Sequence, residues 1–342
     1  MSEDSNVQAV VAPVVGAARL KELREALTPF RERLRSRRIA VVCGGDTRER
    51  EVSLASGSEI LKALRAEECD AELIDLDYDE LDPGTFAPYD VLFLALHGGR
   101  GEDGTLQGFL ESIELPYVGA GPAASAIGMK KPLFKRIATA LGLKTPAYAH
   151  ILSRQEIPQA LDGLTGKQLV VKPAAEGSSV GVSIVERERA AETAAEALRR
   201  FGEILLEAYI DGTEVTVSIL GKRLEPVVLP HVEVAPVTRK FYDYKAKYTK
   251  GETDYIIPAR IGDALSSELA ERAVQLYRVI DFSPYVRMDT VIGKDGGIYF
   301  LEANTIPGFT PLSLVPQAAA AAGVSYGELL VLLLHLALEG GH

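Results

Sequence analysis

Two rhythms of apolar residues alternate along the first part of the chain. Residues 39–43 form an uninterrupted apolar run ending in Gly44-Gly45, and residues 91–96 form another ending in His97-Gly98-Gly99. Between them, residues 53–65 carry apolar positions at helical spacing. Unbroken apolar runs suit strands buried on both faces, and strand, glycine turn and helix in alternation predict an open parallel α/β sheet. Ligands of such sheets bind at the carboxyl ends of the strands, where these turns fall. A middle stretch predicts a helix over 131–141, a strand over 168–172, a glycine-serine loop, a strand over 182–185 and a helix near 190–201. The last part predicts strands at 214–220 and 225–229, an irregular polar stretch at 238–255 and a helix at 266–279. Two β-rich runs, 286–292 and 298–304, follow, then a closing helix at 325–338. Ahead of all this, residues 17–38 predict a helix broken at Pro29, with the arginines from Arg31 to Arg38 on a solvated face. The divisions expected are an N-terminal helical appendage (1–36) and units at 37–121, 122–207 and 208–342.

Composition narrows the class. The chain has 342 residues, 47% of them hydrophobic and 25% charged, as ordinary globular proteins have. A net charge of -11 argues against a general nucleic-acid binder. The longest apolar stretch, 329–338, is too short to span a bilayer, and the start lacks the basic region of a secretory signal. Cys43 is expected in a buried strand and Cys69 on the surface. Neither has metal-ligand spacing, so a reduced, cytoplasmic protein is expected.

The paired runs carry the most chemistry. Joined across Asp295-Gly296 as a two-residue hairpin, they place Asp289 opposite Glu302 and Arg287 opposite Asn304 on one face. Met288, Thr290, Leu301 and Ala303 then form the core face. Like charges directly opposite are destabilising unless a cation lies between them, and Mg²⁺ prefers oxygen ligands in the company of phosphates. A solvated hairpin face is the alternative. Lys172 ends a strand beside Glu176-Gly177-Ser178-Ser179, a loop able to present N–H groups to phosphate or simply to turn the chain. It lacks the order of a P-loop. Glu207 and Glu214 flank a strand-to-turn junction, and the aromatic, basic stretch 241–248 reads as a lid or as a packed loop.

In their order along the chain, these segments resemble the D-alanine–D-alanine ligases of the ATP-grasp superfamily from about Arg38 onward. The resemblance rests on Gly44-Gly45 followed by Glu49-Arg50-Glu51-Val52-Ser53, His97 through Gly108, Pro116-Tyr117-Val118-Gly119, Lys172 through Gly181, Lys247-Tyr248, Arg287-x-Asp289, and Glu302-Ala303-Asn304-Thr305-x-Pro307-Gly308 with Ser313-Leu314. It implies an ATP-grasp fold of three domains. The first (37–121) would be an α/β substrate-binding domain; nucleotide would lie between a central lid domain (122–207) and a C-terminal catalytic domain (208–342). It implies ATP contacts from Lys131, Lys172, Glu207, Ile210 and Glu214, and two Mg²⁺ ions, for which Mn²⁺ can substitute, on Asp289, Glu302 and Asn304. Glu51 would hold the first D-alanine's ammonium, with Ser178 and Tyr248 ordering the loop over it. Arg287 and the Gly308 N–H would stabilise the oxyanion. His97, Lys247, Ser313 and Leu314 would bind substrate, the last three fixing the second carboxylate.

The implied reaction is ligation of two D-alanines through D-alanyl phosphate, for peptidoglycan precursors, by a cytoplasmic homodimer with no nucleic-acid or membrane partner. D-alanine–D-serine and D-alanine–D-lactate ligases are the rivals within the class, although Lys247-Tyr248 resembles the dipeptide-forming pattern. A non-catalytic ATP-binding regulator would be expected to have lost part of the metal set or Arg287. Two departures stand out: Lys130 replaces the usual Asp or Asn before Lys131, and the 1–36 appendage has no counterpart.

Overall fold

The structure, a computed structural model, describes residues 15–177, 180–236 and 253–340. Ser178, Lys247 and Tyr248 lie outside the described residues. Strands β1 (Arg38–Gly44), β2 (Asp70–Leu76), β3 (Val91–Leu94) and β4 (Tyr117–Val118) form a parallel sheet in the order β2-β1-β3-β4. β1 is buried from Ile39 to Gly44 and all of β3 is buried, as unbroken apolar runs dictate. The helix Arg50–Ala66 returns across the sheet from the turn after β1.

Strands β5 (Tyr148–Ile151), β6 (Gln168–Pro173), β7 (Ser183–Glu186) and β8 (Ile204–Ala208) make an antiparallel sheet in the order β5-β8-β6-β7. Leu169, Val171, Ile204 and Leu206 pack beneath the helices Ile157–Gly163 and Arg187–Phe201. Strand alternation therefore turns Val170, Lys172, Leu205 and Glu207 to the opposite face.

The third sheet runs β12 (Thr253–Ile256), β11 (Val232–Pro236), β9 (Gly212–Lys222), β13 (Tyr285–Gly293), β14 (Ile298–Asn304), with β10 (Glu225–Val228) also paired to β9. Val215, Val217, Met288 and Phe300 pack on the helix Asp263–Ile280. Part of the other face joins the largest core, which unites the first sheet with the helices Leu314–Ala321 and Tyr326–Gly340. No single helix among the described residues is long and apolar enough to cross a membrane. The apolar pair 314–321 and 326–339 bends by 103°, and residues 329–334 are fully buried.

Two expectations change. The helix Ala17–Leu34 continues through Pro29. A lost N–H and a ring clash cost about 3 kcal/mol, which the buried stripe Leu20, Leu23, Leu27, Phe30 and Leu34 outweighs. That stripe belongs to the main core. The arginines after Pro29 lie on a solvated face as expected, where Arg31, Arg33 and Arg37 pair with Glu67, Glu339 and Asp90. Cys69 is buried, because its charged neighbours Glu67 and Glu68 turn outward to Arg31 and Arg35 while Cys69 itself joins the main core, its thiol donating to Glu67 O.

The hairpin differs twice, and the differences cancel. The Gly293 N–H donates to Gly297 O and the Gly296 N–H to Gly293 O, with Gly296 at φ 75°. This is a three-residue loop with one left-handed glycine, not a two-residue turn needing two left-handed positions. It pairs Ile292 with Ile298 and Thr290 with Phe300. A bulge then shifts the register, restoring Asp289 opposite Glu302 and Arg287 opposite Asn304. Leu301 is the extra residue. It lines the cavity, and Phe300 takes the core position expected for it.

Candidate active site

A cavity of about 420 Å³ lies between the second and third sheets, within the size range of small-molecule sites. Its floor is built by strand alternation: Arg287, Asp289 and Val291 on β13 lie beside Ser218, Thr216 and Glu214 on β9, with Leu301 and Glu302 from β14. Its roof carries Val170, Lys172 and Glu207, and Lys131 enters from the start of the helix Lys131–Ala140. Ile210 lines the wall where β8 leads into β9. The buried Thr216 and Ser218 hydroxyls have no hydrogen-bond partner among the described residues, an arrangement usually reserved for places that meet water or ligand.

Charge is concentrated here. Arg287 donates to both oxygens of Asp289 at 2.8 Å, a bidentate pair between same-face neighbours. Lys131 Nζ donates to Glu176 O at 2.6 Å and lies 3.4 Å from Glu302. Burial opposes ionisation of Glu302, yet Lys131, then Lys172 and Arg287, hold its carboxyl below the usual range. Glu207 receives Lys172 on one oxygen and Lys135 on the other, each at 3.0 Å. Burial pushes the Lys135 ammonium down to about 8 against the pull of Glu207. The Lys130 side chain is exposed.

Asp289, Glu302 and Asn304 share the floor. Asn304 donates Nδ2 to Asp289 at 3.0 Å, which leaves its amide oxygen as the donor for a cation. Among the described residues no three His, Cys, Asp or Glu side chains gather for a metal. Two carboxylates and one amide oxygen fit a hard cation whose shell is completed by phosphate oxygens and water.

The neighbouring turns contribute a second group. Glu51 is exposed, so the carboxylate placed here is Glu49, which is only 9% exposed. A Cβ on Gly98 would sit 2.9 Å from Glu49 Oε2, and one on Gly177 would sit 2.7 Å from it, so glycine lets both loops close on this carboxylate. The helical stripe makes the choice legible. Glu49 lies four residues before buried Ser53, on the line continued by Gly57, Ile60 and Leu64, whereas Glu51 is turned away. His97 is buried with Nδ1 2.9 Å from Ile306 O and Nε2 3.3 Å from Ser56 Oγ. Both ring nitrogens thus face protein groups rather than the cavity. Ser313 Oγ accepts from the Thr310 N–H, and a Cβ on Gly308 would lie 3.4 Å from that oxygen. Leu314 lines the cavity.

A profile described as "D-ala D-ala ligase C-terminus" matches residues 137–335, and "D-ala D-ala ligase N-terminus" matches 79–120. The chain belongs to the D-alanine–D-alanine ligase family. The family protein of Pelotomaculum thermopropionicum is 39% identical over 310 residues, 88% of this chain and 97% of that one. That of Anaeromyxobacter sp. is 42% identical over 301 residues, covering 86% and 94%. The D-alanine–D-alanine ligase of Bacillus anthracis, solved in complex with ATP, superposes with a TM-score of 0.76 at 30% identity, over 89% of this chain and 98% of that one. D-alanyl-alanine synthetase A of Vibrio cholerae gives 0.79 at 26% identity, covering 89% and 99%. The fold is accordingly that of the ATP-grasp ligases, parallel and antiparallel sheets with helices.

Sequence reasoning passed over Glu49, Glu102, Ser56 and Lys135. Lys135 had a signal: it lies one helical turn after Lys131 on the same face.

Proposed function

We propose that this protein joins two D-alanines into D-alanyl-D-alanine at the expense of ATP, supplying a peptidoglycan precursor in the cytoplasm, and that it works as a homodimer. The reading rests on family membership together with one observation. Roof cations and floor carboxylates meet across a single cavity, with Lys131 Nζ 3.4 Å from Glu302. Nucleotide placed there would have its phosphates beside Lys131 and Lys172, and its base and ribose near Glu207, Ile210 and Glu214. Asp289, Glu302 and the Asn304 amide oxygen would hold Mg²⁺, with Mn²⁺ as a substitute. When bound, Mg²⁺ offsets charge on the phosphoryl group being transferred.

Glu49, in place of Glu51, would hold the ammonium of the first D-alanine. That D-alanine's carboxylate oxygen attacks the γ-phosphorus of ATP in line, the bond to ADP breaks, and D-alanyl phosphate forms. The second D-alanine, its carboxylate bound near Ser313 and Leu314 with Lys247 as its counter-charge, gives one ammonium proton to solvent before closure and attacks the acyl carbon as the free amine. Arg287 and the Gly308 N–H would meet the oxyanion, and preorganised donors of this kind are worth about 10²–10³ in rate each. The C–O bond to phosphate then breaks and orthophosphate leaves. Ser178 and Tyr248, which lie outside the described residues, would take part in keeping water from the acyl phosphate.

Incubation with Mg-ATP and D-alanine, alone and with D-serine or D-lactate, tests the assignment by product mass. D-alanyl-D-alanine should dominate, and L-alanine should give no product. A depsipeptide or a mixed D-alanyl-D-serine as the main product would move the assignment to the corresponding ligase.

A further inference from the structure

The segment 305–309 joins β14 to the helix Leu314–Ala321 and carries Gly308. It is held by the first unit, not by its own. Glu102, 8% exposed, accepts the Gly98 N–H at 3.0 Å on one oxygen and the Ile306 N–H at 3.1 Å on the other. His97 Nδ1 lies 2.9 Å from Ile306 O. Because a carbonyl can only accept, the neutral ring carries its proton on Nδ1, and Nε2 is the acceptor. Ser56 Oγ, 3.3 Å from that nitrogen, therefore donates to it while accepting the Phe309 N–H at 3.2 Å. Each hydrogen in this chain has one consistent place. The N–H and C=O of Ile306 and the N–H of Phe309 are thereby fixed from outside, on either side of Gly308.

We infer that Glu102, Ser56 and His97 are positioning residues that aim the Gly308 N–H at the acyl oxygen on which the oxyanion develops, so that donor is in place only while the first and third units are docked. The inference rests on the ligase reading above and adds residues that touch neither substrate nor nucleotide. Its signature is uncoupling. A misaimed Gly308 slows attack by the second D-alanine but leaves phosphoryl transfer intact, so acyl phosphate accumulates and water takes it. Phosphate release then exceeds dipeptide formation. A purely structural defect would lower both together.

The test uses the full chain, measuring orthophosphate and dipeptide in the same reaction. Glu102→Gln keeps the size but sets an amide NH₂ against an N–H donor. Ser56→Ala removes one hydroxyl and serves if the first variant does not fold. Displacement of a reacting group by about 1 Å costs about a hundredfold, so dipeptide turnover should fall by about tenfold to a hundredfold. Phosphate per dipeptide should rise several-fold above the wild-type value near one, and KM for ATP should not change. Folded variants with the wild-type ratio, or with both products reduced equally, would overturn the positioning role. Absence of dipeptide from the wild type would instead overturn the ligase reading.

Discussion

At the scale of single residues, alternation within strands made most of the floor legible in advance. Asp289, Glu302, Arg287 and Asn304 share a face because two of them lie on each strand two residues apart. The proposed ammonium site was harder. Glu49 and Glu51 differ by two helical positions, and only the stripe of buried residues behind them separates the two. Glu49→Gln is therefore expected to raise KM for D-alanine by tenfold or more at little cost in stability, whereas Glu51→Gln should leave the kinetics unchanged; initial rates over a D-alanine series decide it. Glu302→Gln should reduce turnover by about a hundredfold or more with an unchanged melting temperature. Wild-type rates in that variant would contradict its place in the cation set. Glu102 makes a prediction in pH. Burial, then the nearby Glu49 charge, raises its carboxyl from 4.5 to about 7, against the Gly98 and Ile306 N–H bonds and Arg287. Between those values the folded protein keeps a proton that the unfolded chain has lost, so this contribution to stability falls as pH rises from 4.5 through 7. Melting curves across that range should slope less in Glu102→Gln.

At the scale of elements, hydrophobic period identified nearly every strand and helix it was applied to, and failed where local rules yield to packing. Pro29 reads as a helix break from its own chemistry, but nothing local reports the five apolar side chains that hold the helix Ala17–Leu34 in the main core. The same limit explains Cys69, whose neighbours are charged and whose thiol is nonetheless covered. In the hairpin, the loop type and the bulge were both invisible to a two-residue reading, and the site register survived because one offsets the other. The N-terminal helix is open to a direct test. Leu27 is fully buried, so Leu27→Ala should cost about 2–5 kcal/mol, seen as a lower denaturation midpoint. It does not line the cavity, so turnover at temperatures where the variant stays folded should be unchanged.

For the whole molecule, three sheets bring together side chains from distant parts of the chain. The second sheet sets Lys172 and Glu207 over the third, which carries Asp289 and Glu302, while the first sends Glu102, Ser56 and His97 to the segment holding Gly308. No single segment holds the chemistry; relative placement of the units creates it. Order along the sequence suggested the set, and the fold shows which of its described members meet. The central claim is that a carboxylate oxygen of D-alanine becomes bonded to phosphorus before the peptide bond forms. The measurement that reaches it most directly is ligation of D-alanine labelled with ¹⁸O in its carboxylate, followed by mass analysis of the phosphate released. The account predicts one labelled oxygen in each orthophosphate, matched one to one with D-alanyl-D-alanine. Dipeptide formed with unlabelled phosphate would contradict it.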